Sequence, residues 1–376
     1  MKTSTPIPAS TAARSGSPVA PAEPLTTRLF PHPHQRRVID TVVSAVIRPG
    51  GKQFVAVFGP PGAGKSRTWR IVENALAHHW RASMESDPNI RPVVSVEAPA
   101  PIGREFPWGE FAKELLAALR DEGIDRLIGE ISGSGRRPDR AIRPGRLGRD
   151  ETFRIAVRRY RRHGVRVLLI DEAQHMGVAP GASELKHNLD ILKSFANKTG
   201  VRVVLFGTYE VLAFHSASAQ LARRILDVHL PRYHWDRERE RLAFWAVTRD
   251  MLEAIGLPEA EIAESIPACY ERSLGCVGEL HDWLVQAAFE YEATGRKDWG
   301  KSLAMTAPSA SKAHEILLQI LEAERLATDS GRVVDRLRAL LGLTEQSVAR
   351  EPKSPNRGGR RVGRRAPTRD AVAANG

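Results

Sequence analysis

Gly59-Pro60-Pro61-Gly62-Ala63-Gly64-Lys65-Ser66 is a complete G-x-x-x-x-G-K-[ST] stretch. Phe54-Val55-Ala56-Val57-Phe58, an apolar run of strand type, leads into it. Arg67-Thr68-Trp69-Arg70-Ile71-Val72-Glu73-Asn74-Ala75-Leu76 follows it and reads as a helix. Strand, glycine loop and helix form the setting in which this spacing holds phosphate groups. Glycine lets the backbone come close to a pyrophosphate, and the amides of a helix N-terminus supply positive potential. Residues 59 to 66, with Arg67 beside them, are therefore the expected contacts to a nucleotide such as ATP. Lys65 adds a mobile cation for the β- and γ-phosphates, and Ser66 a hydroxyl for Mg²⁺.

A second apolar run, Val165-Arg166-Val167-Leu168-Leu169-Ile170, ends directly on Asp171-Glu172. Such a run suits a strand buried on both faces of a parallel sheet. Its carboxylate pair then arrives at the edge where open α/β sheets bind nucleotides. There Asp171 is expected to hold Mg²⁺ through its water shell. Glu172 is expected to orient and deprotonate an attacking water. Alternatively, the pair is a helix cap followed by a solvated glutamate.

The chain has 376 residues, enough for one large or two moderate domains. Lys and Arg number 56 against 44 Asp and Glu, a formal net charge of +12. That balance points to a polyanionic partner, nucleic acid being the commonest, although a GC-rich genome also raises arginine content. Aromatic residues make up 6% of the chain, too few to suggest a stacking platform for single strands. Cys269 and Cys276 are the only cysteines, and they support neither a disulfide framework nor a zinc site. No apolar run approaches the ~18 residues of a membrane span, and the N-terminus lacks a signal core. A cytoplasmic protein without membrane contact is expected.

Along the chain, residues 1–27 read as an unstructured lead-in rich in small residues and proline. Strands are expected at 54–58, 93–97, 165–170, 201–206 and 226–230, with helices at 65–84, 108–121, 150–162 and 184–199. This alternation predicts an α/β domain over 28–235, a parallel sheet with helices on both faces. A smaller helical lid is expected over 236–300, with stretches 237–254 and 279–293, then C-terminal helices over 301–345. An unstructured basic tail covers 346–376. Residues 123–149 form an irregular, arginine-rich insertion, a length that is usually functional or unstructured. The basic stretch Arg154–Arg162 reads most simply as a solvated helix face.

Two further positions carry chemistry. Gly207-Thr208 closes the strand Val201–Phe206, so Thr208 is placed to touch the attacking water or the γ-phosphate; a plain turn is the alternative. Arg223 and Arg224, in Gln220-Leu221-Ala222-Arg223-Arg224, precede the last strand. Either can serve a neighbouring subunit's γ-phosphate as an arginine finger, or simply lie on the surface.

The order Gly-Pro-Pro-Gly-Ala-Gly-Lys-Ser, Leu-Ile-Asp-Glu-Ala-Gln-His-Met, Leu-Phe-Gly-Thr and Gln-Leu-Ala-Arg-Arg resembles the AAA+ superfamily. Within it the chain looks like the TniB/TnsC transposition ATPases, over roughly residues 30 to 290. Asp-Glu-Ala-Gln-His is the most telling piece, and Gly275-Cys276-Val277-Gly278-Glu279-Leu280 is similar to the start of a lid helix there. The resemblance implies ATP hydrolysis with Mg²⁺ and self-assembly on duplex DNA as rings or helical filaments. It also implies a transposase and a target-site selector as partners. It assigns Lys65 and Ser66 to the Walker A ligands, Asp171 and Glu172 to Walker B, Thr208 to the first sensor, and Arg223 or Arg224 to the finger. It also places Arg104, Arg136, Arg137 and Arg143 in the region matching that family's DNA contacts. One departure is that Gly278-Glu279-Leu280-His281 lacks the second-sensor arginine of many AAA+ proteins. Competing readings are an AAA+ ATPase of a secretion-associated or signalling pathway without DNA function, a helicase, and an ATP-binding scaffold. A helicase needs a second motor domain, and the residues after 236 read as helical and too short for one.

Overall fold

Valine, leucine and phenylalanine alternate sides along the central strands, and this decides the layering. In the computed structural model the strands are β1 (Phe54–Phe58), β2 (Val93–Glu97), β3 (Val167–Asp171), β4 (Arg202–Gly207) and β5 (Ile225–His229). All pair in parallel, in the order β2-β3-β4-β1-β5. Phe54, Ala56, Leu168, Ile170, Val203 and Leu205 point to one core, with helices Trp108–Ala117, Arg149–Arg162 and Ala182–Thr199. Val55, Val57, Val167, Leu169, Val204 and Phe206 point to the other, with Pro33–Ile47 and Lys65–His79. Successive strand residues face opposite sides, so apolar character at every position means that both faces are covered. The structure describes residues 22–101, 103, 105–120, 149–177, 182–217, 219–295, 298–327 and 331–343.

A third core gathers the lid. Phe244, Leu252, Ile266, Leu280, Trp283, Leu284 and Trp299 are buried together. They belong to helices Glu238–Ile255, Glu259–Ser273, Val277–Ala293 and Trp299–Thr306. Sequence periodicity picks out the first and third of these. The second carries Pro267 inside it, a residue that ordinarily breaks a helix.

Two expectations change. Ala22–Thr27 is a helix, not part of an unstructured lead-in. Leu25 is completely buried in the lid core, and burial of that side chain organises a segment of low propensity. The expected helix 65–84 is two helices, Lys65–His79 and Arg81–Ser86, separated at Trp80, whose ψ of 17° leaves the α region.

The chain divides into two compact units, residues 1–327 and 328–376. In the second, helix Gly331–Leu340 exposes Leu337 and Leu340. Among the described residues, no helix is long and apolar enough to cross a membrane.

Candidate nucleotide-binding site

β1 and β3 deliver their loops to the same edge of the sheet. The turn after β1 needs positive φ at Gly62 (73°) and Gly64 (90°), and glycine supplies both at little cost. Gly64 caps the helix Lys65–His79 without a side-chain bond, so that N-terminus faces the loop with its amides. The Lys65 ammonium folds back onto the carbonyls of Gly59 (3.1 Å) and Pro60 (2.8 Å). Burial lowers its pKa, while Glu172, Cys276 and Asp171 oppose that shift. A half-buried cation hydrogen-bonded to neutral carbonyls can exchange them for an anion. Arg67 points elsewhere, donating to the Arg28 carbonyl at 2.7 Å.

Asp171 ends β3 and is 4% exposed. Burial raises its pKa. Repulsion from Glu172 and Glu97 adds to that rise, while hydrogen bonds from the Glu172 amide (3.0 Å) and the Ser66 hydroxyl oppose it. The expected hydroxyl and carboxylate thus meet. Glu97 is the register partner of Asp171 at the end of β2, so a third carboxylate stands at this edge. Mg²⁺ needs few protein ligands, since it keeps several waters and takes the rest from phosphate oxygens. The Ser66–Asp171 pair fits that role. Among the described residues no group of three or more His, Cys, Asp or Glu side chains forms a metal cage.

Glu172 has φ of 51°, one of three non-glycine residues described in the left-handed region. Such strain is held by surroundings that over-determine it. Gln174 is the clearest of these: its Nε2 donates to Glu172 Oε2, and its Oε1 accepts the Thr208 amide at 3.2 Å. One amide side chain therefore joins the glutamate to the end of β4. The Thr208 hydroxyl is buried and forms no hydrogen bond. Neither Gln174 nor Glu97 was among the expected site residues. The alternation of a strand says nothing about which polar side chains meet across its end.

The lid touches the loop through backbone. The Glu279 amide donates to the Gly62 carbonyl at 2.9 Å. A Cβ on Gly278 would lie 2.6 Å from that carbonyl oxygen and 2.9 Å from the Gly64 nitrogen. Gly278→Ala is expected to part lid and loop, costing about 1–3 kcal/mol of stability and about tenfold in nucleotide affinity. Thermal melts and ATP titration check this; wild-type behaviour in both would mean that the contact does not position the lid.

Arg223 and Arg224 are exposed and stand at the opposite edge of the sheet. Arg224 passes its carbonyl to the Phe54 amide (3.2 Å), and its guanidinium bonds Gln53 (3.3 Å) and Asn197 (3.4 Å). Neither arginine reaches the phosphate loop of its own chain. Arg104, Arg136, Arg137 and Arg143 lie outside the described residues. Cys269 and Cys276 are free and buried, and burial pushes each thiol up to about 12.

A five-stranded parallel sheet with the phosphate loop after β1, the carboxylate pair after β3 and a helical C-terminal region is a P-loop α/β fold. Residues 47–213 match the family model described as AAA domain. Among solved structures, the chain is similar to a Walker-type ATPase of Pyrococcus abyssi, at 20% identity and a TM-score of 0.47, covering 89% of each chain. It is also similar to the Aeropyrum pernix ORC1 protein solved in complex with DNA, at 16% identity and a TM-score of 0.46, covering 76% of this chain and 68% of that one. A third likeness is to domain III of the Thermotoga maritima replication initiation protein DnaA, at 16% identity and a TM-score of 0.40, covering 81% and 98%. No curated protein matches the chain.

Proposed function

We propose that this chain is an ATP-hydrolysing AAA+ protein that assembles on duplex DNA and links the choice of a target site to a transposase. The observation that carries the hydrolysis reading is the convergence of Lys65, Ser66, Asp171, Glu172 and Thr208 at one sheet edge. Mg²⁺ held by Ser66 and Asp171 would neutralise charge on the β- and γ-phosphates. Lys65 exchanges the Gly59 and Pro60 carbonyls for phosphate oxygens. Glu172 orients water in line with the γ-phosphorus and takes its proton, and the Thr208 hydroxyl is free to donate to the same centre. Arg223 or Arg224, remote from its own loop and exposed, serves the site of an adjacent copy.

The transposition reading rests on the order of motifs, above all Asp171-Glu172-Ala173-Gln174-His175, and implies a target-site selector as a further partner. Its setting is the cytoplasm. Duplex binding has two supports, the net charge of +12 and an exposed stripe of arginines. Arg154, Arg158, Arg161 and Arg162 lie on one face of the helix Arg149–Arg162, opposite the buried Thr152, Ala156 and Tyr160. Glu151 neutralises part of that stripe, lying 3.7 Å from Arg154 and 3.3 Å from Arg158.

Binding to DNA is expected to be indifferent to sequence and steeply dependent on salt, each neutralised phosphate adding about 0.9 to the log–log slope. Competition between unrelated duplexes, titrated at several salt concentrations, measures both. A strong preference for one short site would overturn the phosphate-based reading. Electron microscopy with duplex DNA and a non-hydrolysable ATP analogue tests assembly, and rings or filaments are expected. Nucleotide-dependent hydrolysis without any DNA binding would instead favour an AAA+ ATPase of another pathway.

A further inference from the structure

Arg232 is a buried cation beside the phosphate loop that the proposed hydrolysis does not use. It is 8% exposed, and its Nε and Nη2 meet Glu324 Oε1 and Oε2 at 3.0 and 3.3 Å. Its place follows from backbone. β5 pairs with β1 through Phe58 and His229, and the Leu230 amide then donates to the Phe58 carbonyl at 2.8 Å. The Leu230 carbonyl abuts Gly59 so closely that a Cβ there would stand 2.1 Å away. Arg232 is two residues further on. The next amide, of Tyr233, donates to the Gly275 carbonyl at 2.9 Å, three residues before Gly278 lies against the loop. The thiol of Cys276 feels both Arg232 and Lys65. The segment that carries Arg232 is thus wedged between the first residue of the phosphate loop and the start of the lid helix.

Glu324 belongs to the helix Ala310–Ala327, which also packs on the turn Tyr209–Leu212 that follows Thr208. That helix is lightly held. Ala313 and Ile320 are its only buried residues, while Leu318 and Leu326 are 49% and 80% exposed. Elements with few buried apolar contacts open at low free-energy cost. A guanidinium fork accepts carboxylate or phosphate with the same paired geometry, so one can replace the other.

We propose that Arg232 is a phosphate-contacting residue of the nucleotide site, masked by Glu324, and that the helix Ala310–Ala327 is a strap that ATP releases by taking Arg232. The proposal rests on the ATP-site reading above. The strap ties lid, sensor turn and the segment after β5 together, and a triphosphate competes for the same fork. Phosphate binding and strap release are then one event.

Equilibrium titration of the full chain with ATP and ADP tests this with four variants. Glu324→Gln unmasks the fork and is expected to tighten ATP about tenfold, the scale of one charge-assisted hydrogen bond. Arg232→Met is expected to weaken ATP by a similar factor and ADP by less. The double variant Arg232→Met/Glu324→Gln is expected to bind like Arg232→Met. A purely structural ion pair predicts lowered melting temperatures with ATP affinity unchanged in all three, and that result overturns the proposal. Lys65→Ala separates the layers of the argument. If wild type binds ATP, Lys65→Ala does not, and the other variants match wild type, the mask fails while the ATP site stands. If wild type binds no ATP, or Lys65→Ala binds as wild type does, the ATP-site reading itself falls. Should the Arg232 variants not fold, hydrogen exchange over 310–327 in the wild-type chain decides. Faster exchange with ATP supports the strap, and unchanged exchange overturns it.

Discussion

Lys65→Ala is expected to weaken ATP binding by about two orders of magnitude and to prevent nucleotide-dependent assembly. The ammonium is held by the carbonyls of Gly59 and Pro60, so its loss leaves the loop's backbone intact and removes only the mobile charge. Charged hydrogen bonds of this kind contribute about 1.5–3 kcal/mol each. An alanine also sits comfortably at the first position of a helix, so folding should be spared. Titration with ATP, alongside a thermal melt to verify folding, measures the effect. The same variant probes the shared site. Mixed with Arg224→Ala, which keeps an intact phosphate loop, it should restore part of the hydrolysis, because mixed interfaces pair an intact loop with an intact arginine. No recovery despite demonstrable co-assembly would remove Arg224 from the trans role and move the test to Arg223.

Glu172→Gln should separate binding from turnover. The substitution keeps the shape of the side chain and adds no strain at a φ of 51°, since both residues carry the same Cβ. The glutamine can still accept from Gln174 Nε2 through its own carbonyl oxygen, so the bridge to Thr208 survives. What is lost is the base. Hydrolysis is expected to fall by about 10²-fold or more, with ATP binding retained and DNA assemblies longer-lived. Steady-state phosphate release measures the first, ATP titration the second, and dissociation from labelled duplex the third. Release near the wild-type rate would sink the catalytic assignment of Glu172.

The sheet was legible because its signals are local. Phe54–Phe58 and Val167–Ile170 are apolar at every position, and the glycine spacing at 59–66 marks a turn that few side chains tolerate. Lys65, Ser66, Asp171, Glu172 and Thr208 could be named as candidates for a similar reason: Asp171, Glu172 and Thr208 stand at the ends of readable strands, and Lys65 and Ser66 open the helix after the glycine turn. The connections between them were not legible. Gln174 meets Thr208 across 34 residues, and Arg232 meets Glu324 across 92. No periodicity encodes such meetings; the fold creates them when the lid and its last helix come to rest. Leu25 teaches the same lesson from the other side. Six residues of weak propensity become a helix because the lid core, formed more than 200 residues later in the chain, has room for one leucine.

The joint between phosphate loop and lid, Gly62 carbonyl to Glu279 amide, is made of peptide groups alone. Its only requirement on the genetic text is the absence of side chains at a few points, Gly62, Gly275 and Gly278, where a methyl would strike backbone or the base of a side chain. The Glu279 side chain can change and keep the joint, whereas Ala63, Cys276 and Val277 are held by their own burial. Losing one of the glycines ends it. The lineage of such a hinge is thus carried by letters that add no side chain, only the peptide groups through which the two parts meet.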